Sequence, residues 1–351
     1  MKLDKNFYIK KIDFEENTLN YFDKIIDVRS ENEFKEDSIP TSINYPVLNN
    51  NERDIVGKLY SNNIFESRKL GAQIISKNIS KFLKLSNFKK TDKILLYCWR
   101  GGMRSLSMYL VMKSIGYNVQ ILNKGYKSFR AYIRDFFENH VTKFRFNILG
   151  GLTGSGKTFF LNLLSEKYNV LNLEKISKHK GSALGDIPNA KQPSQKKFET
   201  HIWYEIQKLN INKKIWVESE SNKIGKLSIP NKIFSNMLNG KILNLDINIK
   251  DRAKYITKDY KYFVENPEPV LKKIKILKKF LTNKNFLILE KDLKTKNYLS
   301  FTENLLKFHY DKVYKKRKFF TDKMITFNLK LSGINKKNLS NIVQVIETNF
   351  P

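Results

Sequence analysis

The single cysteine of this 351-residue chain, Cys98, lies in the run LLYCWRGGMRS at residues 95–105. An apolar run ends at the cysteine, two glycines permit a tight turn, and a helix is expected to begin near Ser105, which could cap it. Main-chain N–H groups and the helix N-terminus would then point at the sulfur. Together with Arg100 and Arg104 they would favour the thiolate and hold an anion beside it. This pattern predicts a nucleophilic cysteine that attacks an oxyanion or a chalcogen compound.

Two chemistries use a loop of this kind. Cys98 and Arg104 have the C-x5-R spacing of a phosphatase, whereas a rhodanese carries sulfur or selenium on its cysteine. The predicted catalytic residues are Cys98, Arg100 and Arg104, and the predicted anion loop consists of Gly101, Gly102, Met103 and Ser105. Upstream, DVR at 27–29, EF at 33–34 and IP at 39–40 resemble the entry motif of the rhodanese fold, with Ser42 where a small residue such as alanine is usual. Asp27 and Arg29 are therefore predicted to support the loop, but the motif occurs in both rhodaneses and phosphatases of that fold.

A second motif, GLTGSGKT at 151–158, fits the phosphate-binding pattern G-x-x-x-x-G-K-[ST]. Its main-chain N–H groups would cradle two linked phosphates, Lys157 would neutralise them, and Thr158 would reach a Mg²⁺ ion. The predicted phosphate-binding residues are Gly151, Gly154, Ser155, Gly156, Lys157 and Thr158. An acidic partner for the metal is expected at the end of a neighbouring strand, and Glu218, after the apolar run IWV, is the residue predicted for that place.

The elements around these loops alternate between strand and helix. Apolar runs at 24–28, 93–98 and 118–122 predict strands, with an amphipathic helix over 105–116 between the last two. The alternation restarts with a strand at 143–150, and the chain from about 249 onwards is predicted to be mostly helical and rich in lysine. Strands that alternate with helices indicate parallel sheets of α/β type. We expect two domains, at 1–140 and 141–351, of which the second ends in a helical region.

Composition limits the classes of function. No apolar run is long enough to span a membrane, and the charged N-terminus lacks the apolar core of a signal peptide, so we expect a cytoplasmic protein with no membrane partner. One cysteine excludes an intrachain disulfide and a cysteine-rich metal site. The net charge of +31 favours a polyanion such as nucleic acid. A proteome-wide bias towards Lys, Asn and Ile would produce the same charge.

The order of the two loops, with their neighbours, resembles the tRNA 2-selenouridine synthase family nearly end to end. The matching stretches are NER, VG and Tyr60 at 51–60, GYK and FR at 125–130, HKGSALG at 179–185, QPSQ and FE at 192–199, ESES and IG at 218–225, and YD with Tyr314 near the end. Two departures are Lys124, where the family has glycine, and Lys180, where it has arginine. The resemblance implies a rhodanese-like domain followed by a P-loop NTPase-like domain.

The resemblance also implies a two-step transferase reaction on the wobble uridine, U34, of the tRNAs for Lys, Glu and Gln. Geranyl diphosphate first alkylates the sulfur of 2-thiouridine, and selenium from selenophosphate then displaces the geranylthio group. On this hypothesis the P-loop binds the diphosphate with Mg²⁺, no ATP is required, and Cys98 carries selenium as S-selanylcysteine. His179, Ser182, Gln192 and Gln195 would face the diphosphate or the base. Lys312, Lys315, Lys316, Arg317 and Lys318 are candidates for tRNA contact, and a monomer is expected.

Three other functions remain open at this point. A sulfurtransferase that makes 2-thiouridine would use ATP at the P-loop and adenylate the base. A phosphatase of the rhodanese fold fused to a small-molecule kinase would release phosphate and ignore tRNA. A non-catalytic RNA-binding module would need neither loop, which the intact Cys98, Lys157 and Thr158 argue against.

Overall fold

The computed structural model describes residues 9–182, 185–187, 190–259, 268–314 and 325–350. The chain divides into two compact units. The first contains Met1–Asn139 together with Ser194–Tyr204, and the second contains His140–Pro193 and Glu205–Pro351. The chain passes from the first unit to the second between Asn139 and His140, and the segment at 194–204 joins the first unit from the second half of the chain.

The first unit is built on a five-stranded parallel sheet. Its strands are β1 (Lys11–Ile12), β2 (Lys24–Asp27), β3 (Ile43–Asn44), β4 (Lys93–Tyr97) and β5 (Asn118–Leu122). They lie in the order β1-β5-β4-β2-β3, so the strand that ends at Cys98 is in the middle of the sheet. Residues 94–97 are completely buried, as expected for a strand covered on both faces.

Helices lie between these strands and after the last one. They are α1 (Thr18–Tyr21), α2 (Glu31–Glu36), α3 (Asn50–Asn62), α4 (Ile64–Leu85), α5 (Met103–Ile115) and α6 (Tyr126–Asp135), with a π-helical turn at Phe136–His140. Helix α5 begins at Met103, two residues before the expected start, and ends at the left-handed Gly116. Met108, Tyr109 and Met112 pack from this helix into the core around β4.

The second unit has its own five-stranded parallel sheet. Its strands are β6 (Phe146–Gly151), β7 (Val170–Leu171), β8 (Ile215–Glu218), β11 (Lys241–Ile247) and β12 (Ile325–Leu331), and β9 (Lys223–Ile224) and β10 (Leu227–Ser228) form a separate hairpin. The order is β12-β11-β6-β8-β7, which places the strand that leads into the phosphate loop at the centre. The lysine-rich tail was predicted to be mostly helical, so the edge strand β12 was not expected.

Helices complete the second unit. They are α7 (Lys157–Leu164), α8 (Leu173–Ser177), α9 (Gln195–Gln207), α10 (Asn231–Leu238), α11 (Ile249–Asp259), α12 (Glu268–Leu277), α13 (Asn283–Lys294), α14 (Tyr298–Leu305), α15 (Asp311–Tyr314) and α16 (Leu339–Asn349). Most of α9 belongs to the first unit, as the division shows. Helices α12 to α14 share a core of their own, which contains Ile274, Leu289 and Phe301. The α/β class with two parallel sheets and a helical C-terminal region is therefore confirmed.

Helix α9 packs its apolar side into the first unit. Trp203 is completely buried, and its ring lies 5.7 Å from that of Phe129 and 6.0 Å from that of Phe14. Arg130 donates to the Thr200 hydroxyl at 3.0 Å and pairs with Glu199. Among the described residues, no helix combines the length and the apolar character needed to cross a bilayer.

Candidate functional site

Cys98 lies at the carboxyl end of the central strand β4, directly before the loop that leads to α5. Its side chain is 3% exposed. The Sγ atom lies 3.2 Å from the hydroxyl oxygen of Ser105 and 3.9 Å from the carbonyl oxygen of Gly102. Ser105 is therefore in direct contact with the sulfur, in the first turns of the helix that follows it. The strand–loop–helix context predicted from sequence is present.

Glycine conformation shapes the loop from two sides. Gly101 has a φ of +64° and Gly125 one of +55°. A Cβ atom on Gly125 would lie 2.2 Å from the carbonyl oxygen of Cys98, which no arrangement of that backbone could accept. The next residues support the same loop, since the Tyr126 amide donates to Cys98 at 2.8 Å and the Lys127 amide donates to Trp99 at 3.1 Å. The GYK stretch thus holds the cysteine loop in place.

Lys124 departs from the family's glycine at a position where the backbone favours glycine. Its φ is +55°, in the left-handed region. A side chain there costs roughly 1–2 kcal/mol. The family's glycine at this position is explained by backbone conformation, and the lysine makes this turn more strained.

The arginines of the cysteine loop differ in their surroundings. Arg104 donates to both carboxylate oxygens of Glu33, at 2.7 and 3.3 Å, and Arg53 forms an ion pair with the same carboxylate at 3.3 Å. Burial disfavours the charge of Glu33, but the bonds from Arg104 outweigh it and lower the pKa of this carboxyl group. Arg100 and Met103 are exposed beside the loop. The anion-binding roles predicted for these residues and for the loop glycines stay predictions.

Asp27 and Arg29 form a fully buried ion pair beneath the loop. The closest approach, from Arg29 Nη2 to Asp27 Oδ2, is 2.6 Å. The same guanidinium donates to the carbonyl of Asp37 at 2.7 Å and lies 4.0 Å from the centre of the Tyr126 ring. Because Tyr126 also bonds the Cys98 carbonyl, the pair supports the loop indirectly. It does not contact the sulfur.

The phosphate loop follows β6 in the second unit. The Lys157 ammonium donates to the Gly151 carbonyl at 2.9 Å and lies 5.2 Å from the centre of the Tyr314 ring. Burial disfavours the charge of Lys157, but Tyr314, Glu220 and Glu174 outweigh it and raise the pKa of the ammonium. Lys157 is thus held as a cation in contact with the phosphate loop.

The glycines of this loop have little room for side chains. Gly154 and Gly156 have positive φ values of 81° and 73°. Cβ atoms there would lie 2.4 Å from Ile256 and 2.6 Å from Ile334. The predicted phosphate-binding residues therefore form one compact loop, which borders a cavity of about 370 Å³.

Carboxylates are concentrated beside Thr158. Its hydroxyl bonds to Glu174, which lines the cavity together with Glu220. Glu218, predicted as the metal partner, is completely buried and is not among the cavity residues. One of its oxygens accepts the Glu174 amide at 2.8 Å. Glu174 is thus the carboxylate nearest to the predicted metal-binding hydroxyl, and no motif in the sequence indicated it.

Two of these carboxyl groups titrate unusually. Burial, followed by the charge of Glu174, raises the pKa of Glu218 to about 7. Burial also raises the pKa of Glu174. Within the described ranges, no group of three or more His, Cys, Asp and Glu side chains is arranged to hold a metal ion. The Thr158 hydroxyl and the Glu174 carboxylate are nevertheless hard oxygen ligands of the kind that Mg²⁺ takes beside a bound phosphate.

A buried arginine fastens the phosphate loop to a distant part of the chain. Arg252, in α11, donates to the Thr153 carbonyl at 3.0 Å and forms two bonds of 2.9 and 2.8 Å to Asp311. Asp311 begins the short helix α15, which carries Tyr314 to its place beside Lys157. The Tyr314 hydroxyl lies 2.8 Å from that of Ser219. The YD-x-x-Y and ESES stretches of the sequence therefore meet at the phosphate loop.

The polar loop predicted from sequence splits between different environments. His179 and Ser182 line the cavity, and His179 lies 3.3 Å from the Asp186 carboxylate. Gln192 instead donates to the Ile224 carbonyl at 2.9 Å and accepts the Lys226 amide at 2.9 Å, so it holds the turn of the β9–β10 hairpin. Gln195 donates to Glu199 within α9.

Neither glutamine lines the cavity of the second unit. Two residues of the HKGSALG stretch, Ala183 and Leu184, lie outside the described residues. The same is true of residues 315–318, which belong to the lysine cluster predicted to contact tRNA. Lys180, which stands where the family has arginine, also lines the cavity. Its ammonium pairs there with Asp259 at 2.5 Å.

The lining of the same cavity also contains apolar and aromatic side chains. They are Phe159, Ile187, Tyr255, Ile256, Tyr310 and Tyr314. The phosphate loop and side chains that suit a hydrocarbon chain or a flat ring therefore border one cavity. Sequence reasoning predicted such a pocket but could not name its residues.

Comparison with known proteins agrees with both halves of this geometry. A family model described as a rhodanese-like domain matches residues 11–132, and one described as the tRNA 2-selenouridine synthase AAA domain matches residues 144–275.

Among curated relatives named tRNA 2-selenouridine synthase, the chain is 32% identical to that of Nitrosomonas europaea over 67% of this chain and 63% of the relative. The chain is 33% identical to the relative from Nitrosomonas eutropha, over 67% of this chain and 62% of the relative. It is 31% identical to the relative from Hydrogenovibrio crunogenus, over 67% of this chain and 67% of the relative. The chain therefore spans less than two thirds of the length of the first two relatives. With both domain types in order and this level of identity, the chain belongs to the tRNA 2-selenouridine synthase family.

Proposed function

We propose that this protein converts 2-thiouridine at the wobble position of tRNA to 2-selenouridine, by geranylation and then selenation. The observation that carries the proposal is the cavity of the second unit, which is lined both by the phosphate loop and by apolar and aromatic side chains. A diphosphate ester of an isoprenoid alcohol has this combination of a doubly charged head and a hydrocarbon tail. Membership of the family and the cysteine loop of the first unit support the second step.

In the first step the thiocarbonyl sulfur attacks the terminal carbon of geranyl diphosphate. A carbon–oxygen bond breaks, diphosphate leaves, and the base loses its N3 proton. The amides of residues 154–158 and the ammonium of Lys157 stabilise the charge that develops on the leaving diphosphate. Mg²⁺, when held by Thr158 and Glu174, adds positive charge at the same place. Phe159, Tyr255 and Ile256 exclude water from the hydrocarbon chain.

In the second step selenium replaces the geranylthio group at C2 of the base. Alkylation is needed first because it turns the sulfur into a thiol that can leave. We assign the selenium donor to the loop of Cys98, where Arg100 and Gly102 are exposed and Arg104 is held by Glu33. Selenium in selenophosphate is at the selenide level, so it attacks C2 directly: the bond from C2 to the geranylthio sulfur breaks, geranyl thiol leaves, and hydrolysis of the selenium–phosphorus bond releases phosphate. An S-selanylcysteine on Cys98 would need a two-electron oxidant, so the role proposed for Cys98 is to act in this step from the loop that holds the donor.

The remaining details follow from the same proposal. The substrates would be the tRNAs for Lys, Glu and Gln, the enzyme would act as a monomer in the cytoplasm, and the cell would have to supply selenophosphate. No ATP is required, because the P-loop is occupied by the diphosphate of the alkyl donor.

The test is mass spectrometry of nucleosides from 2-thiouridine tRNA incubated with the protein, geranyl diphosphate and Mg²⁺, and then with selenophosphate. Wild type should give 2-selenouridine. Cys98→Ala should stop at the geranylated base, and Lys157→Ala should leave 2-thiouridine unchanged.

A different result would favour another function. If neither a geranylated nor a selenium-containing nucleoside forms and phosphate or ADP accumulates, the proposal fails. The phosphatase–kinase alternative would then take its place, and an adenylated base would instead indicate the ATP-dependent sulfurtransferase.

A further inference from the structure

A phenylalanine is exposed on the lysine-rich helical part of the second unit. Phe280 ends the 3-10 turn Lys278–Phe280 and is 62% exposed. The Lys279 ammonium lies 5.0 Å from the centre of its ring. Between residues 270 and 289 the sequence has six lysines and no acidic residue. Phe280 and the lysines beside it, Lys278 and Lys279, are called the Phe280 platform below.

A series of ring contacts leads from the platform to the cavity. The Phe280 ring lies 6.0 Å from that of the buried His309, and His309 lies 5.1 Å from the ring of Tyr310. Tyr310 lines the cavity that contains the phosphate loop. His309 and Tyr310 belong to a π-helical turn, Leu306–Tyr310, and turns of this kind are frequent at functional sites. The platform is therefore beside the candidate site, on the same unit.

We propose that the Phe280 platform binds the unpaired nucleotides of the tRNA anticodon loop next to the base that reacts. This inference rests on the proposed function. An exposed aromatic ring offers a face on which an unstacked base can lie, and neighbouring lysines contact the phosphates on either side. A base paired inside a duplex shows no free face, so single-stranded RNA is the occupant that fits.

The surroundings of the platform favour RNA over an apolar protein partner. The cation beside the Phe280 ring would remain unpaired against an apolar surface, whereas phosphate would neutralise it. The segment 270–289 has no acidic side chain, so this stretch of the chain carries only positive charge. Leu287, in α13, is similarly exposed at 61% but is not a ring, so it serves as a matched control for apolar contact.

The test measures binding of a fluorescently labelled RNA hairpin whose loop carries 2-thiouridine, by anisotropy with full-length protein. Phe280→Ala should weaken binding roughly tenfold, because stacking of one base contributes that much. Phe280→Trp should retain wild-type affinity and Phe280→Leu should not. Leu287→Ala should bind as wild type. Replacing Lys278 and Lys279 by Gln should reduce the slope of log affinity against log salt by roughly 1.4.

Some outcomes would overturn the inference. Equal RNA affinity of Phe280→Ala and wild type would do so. Equal affinity of Phe280→Leu and Phe280→Trp would also do so, because the contact at this position would then be merely apolar and not a stacking contact. The same proteins are assayed for nucleoside conversion. If wild type converts 2-thiouridine and Phe280→Ala converts and binds equally well, only the platform fails. If wild type neither binds the hairpin nor converts the base, the proposed function fails instead.

Discussion

The carbonyl oxygen of Cys98 occupies the space that a side chain on Gly125 would need, since an added Cβ atom would lie 2.2 Å from it. Gly125 also has a φ of +55°. We expect Gly125→Ala to displace the cysteine loop and to lower the free energy of unfolding by about 2 kcal/mol or more. Urea denaturation measures the loss.

Gly57 provides the control for this prediction. It lies within helix α3, and apart from its chain neighbours and the helix's own backbone nothing lies within 4 Å of the place where its Cβ would be. Gly57→Ala should therefore stabilise the protein by about 1 kcal/mol, through helix propensity alone. If both alanine variants changed stability equally, the close approach at Gly125 would not be what makes that position a glycine.

The bond from Arg252 to the Thr153 carbonyl should control affinity for diphosphate. Arg252→Met leaves Asp311 without its partner and releases the phosphate loop, so we expect binding of inorganic diphosphate with Mg²⁺ to weaken by at least roughly tenfold. Isothermal titration calorimetry measures the affinity. Lys167→Met removes an exposed ion pair with Glu347 and should leave the affinity unchanged.

A second variant separates positioning from folding. Asp311→Asn keeps the bond between Arg252 and Thr153 available, so its effect on diphosphate affinity should be smaller than that of Arg252→Met. If both variants unfolded at a lower temperature yet bound diphosphate as wild type does, the buried pair would serve stability alone.

Stability should depend on pH through Glu218. Its folded pKa is raised to about 7, whereas glutamate in an unfolded chain titrates near about 4.3. Between these two pKa values the folded protein holds a proton that the unfolded chain releases. This stabilisation is fully present below about pH 4.3 and is lost as the pH rises through about 7, by up to about 4 kcal/mol.

Glu218→Gln keeps an acceptor for the Glu174 amide and removes the titration. In urea denaturation without divalent metal, it should match wild type near about pH 4 and exceed its stability near about pH 8. A constant difference between the two proteins across this range would contradict the assignment.

Trp203 should stabilise the first unit although it comes from the second half of the chain. Its buried ring contacts those of Phe14, Phe129 and Tyr132. Trp203→Ala should lower the free energy of unfolding by about 3–5 kcal/mol. Glu205→Ala, which breaks a half-exposed ion pair with Lys208, should lower it by less than about 0.5 kcal/mol.

A fragment of residues 1–140 should likewise be much less stable than the same unit in the whole protein. Circular dichroism of the fragment tests this, and cooperative unfolding at the wild-type temperature would contradict it.

Local patterns predicted most of the elements that carry the two loops. The buried apolar run 94–97 and the buried, mostly apolar stretch 146–149 are typical of central strands, and each loop motif follows one directly. The edge strand β12 was missed, although Ile325, Phe327 and Leu329 alternate with exposed residues as a strand at a sheet edge requires. The abundance of lysine in that tail concealed the alternation.

Contacts between distant residues could not be predicted in this way. Arg252 bonds a carbonyl 99 residues away, and nothing in the sequence around Arg252 indicates it. Glu174 was missed because it follows a short strand with no motif of its own. Gln192 was expected in the site because it lies in a stretch that resembles the family, but its amide group bonds the β9–β10 hairpin instead.

The packing of helix α9 into the first unit has a consequence for synthesis on the ribosome. The first unit is complete only when Tyr204 has emerged, 65 residues after Asn139. At typical rates of translation the delay lasts roughly 3 to 13 seconds. During that time Phe14 and Phe129 lack the ring of Trp203 that covers them in the finished protein. The nascent chain therefore presents an apolar surface that chaperones can recognise, and translational pausing within 140–204 would prolong its exposure.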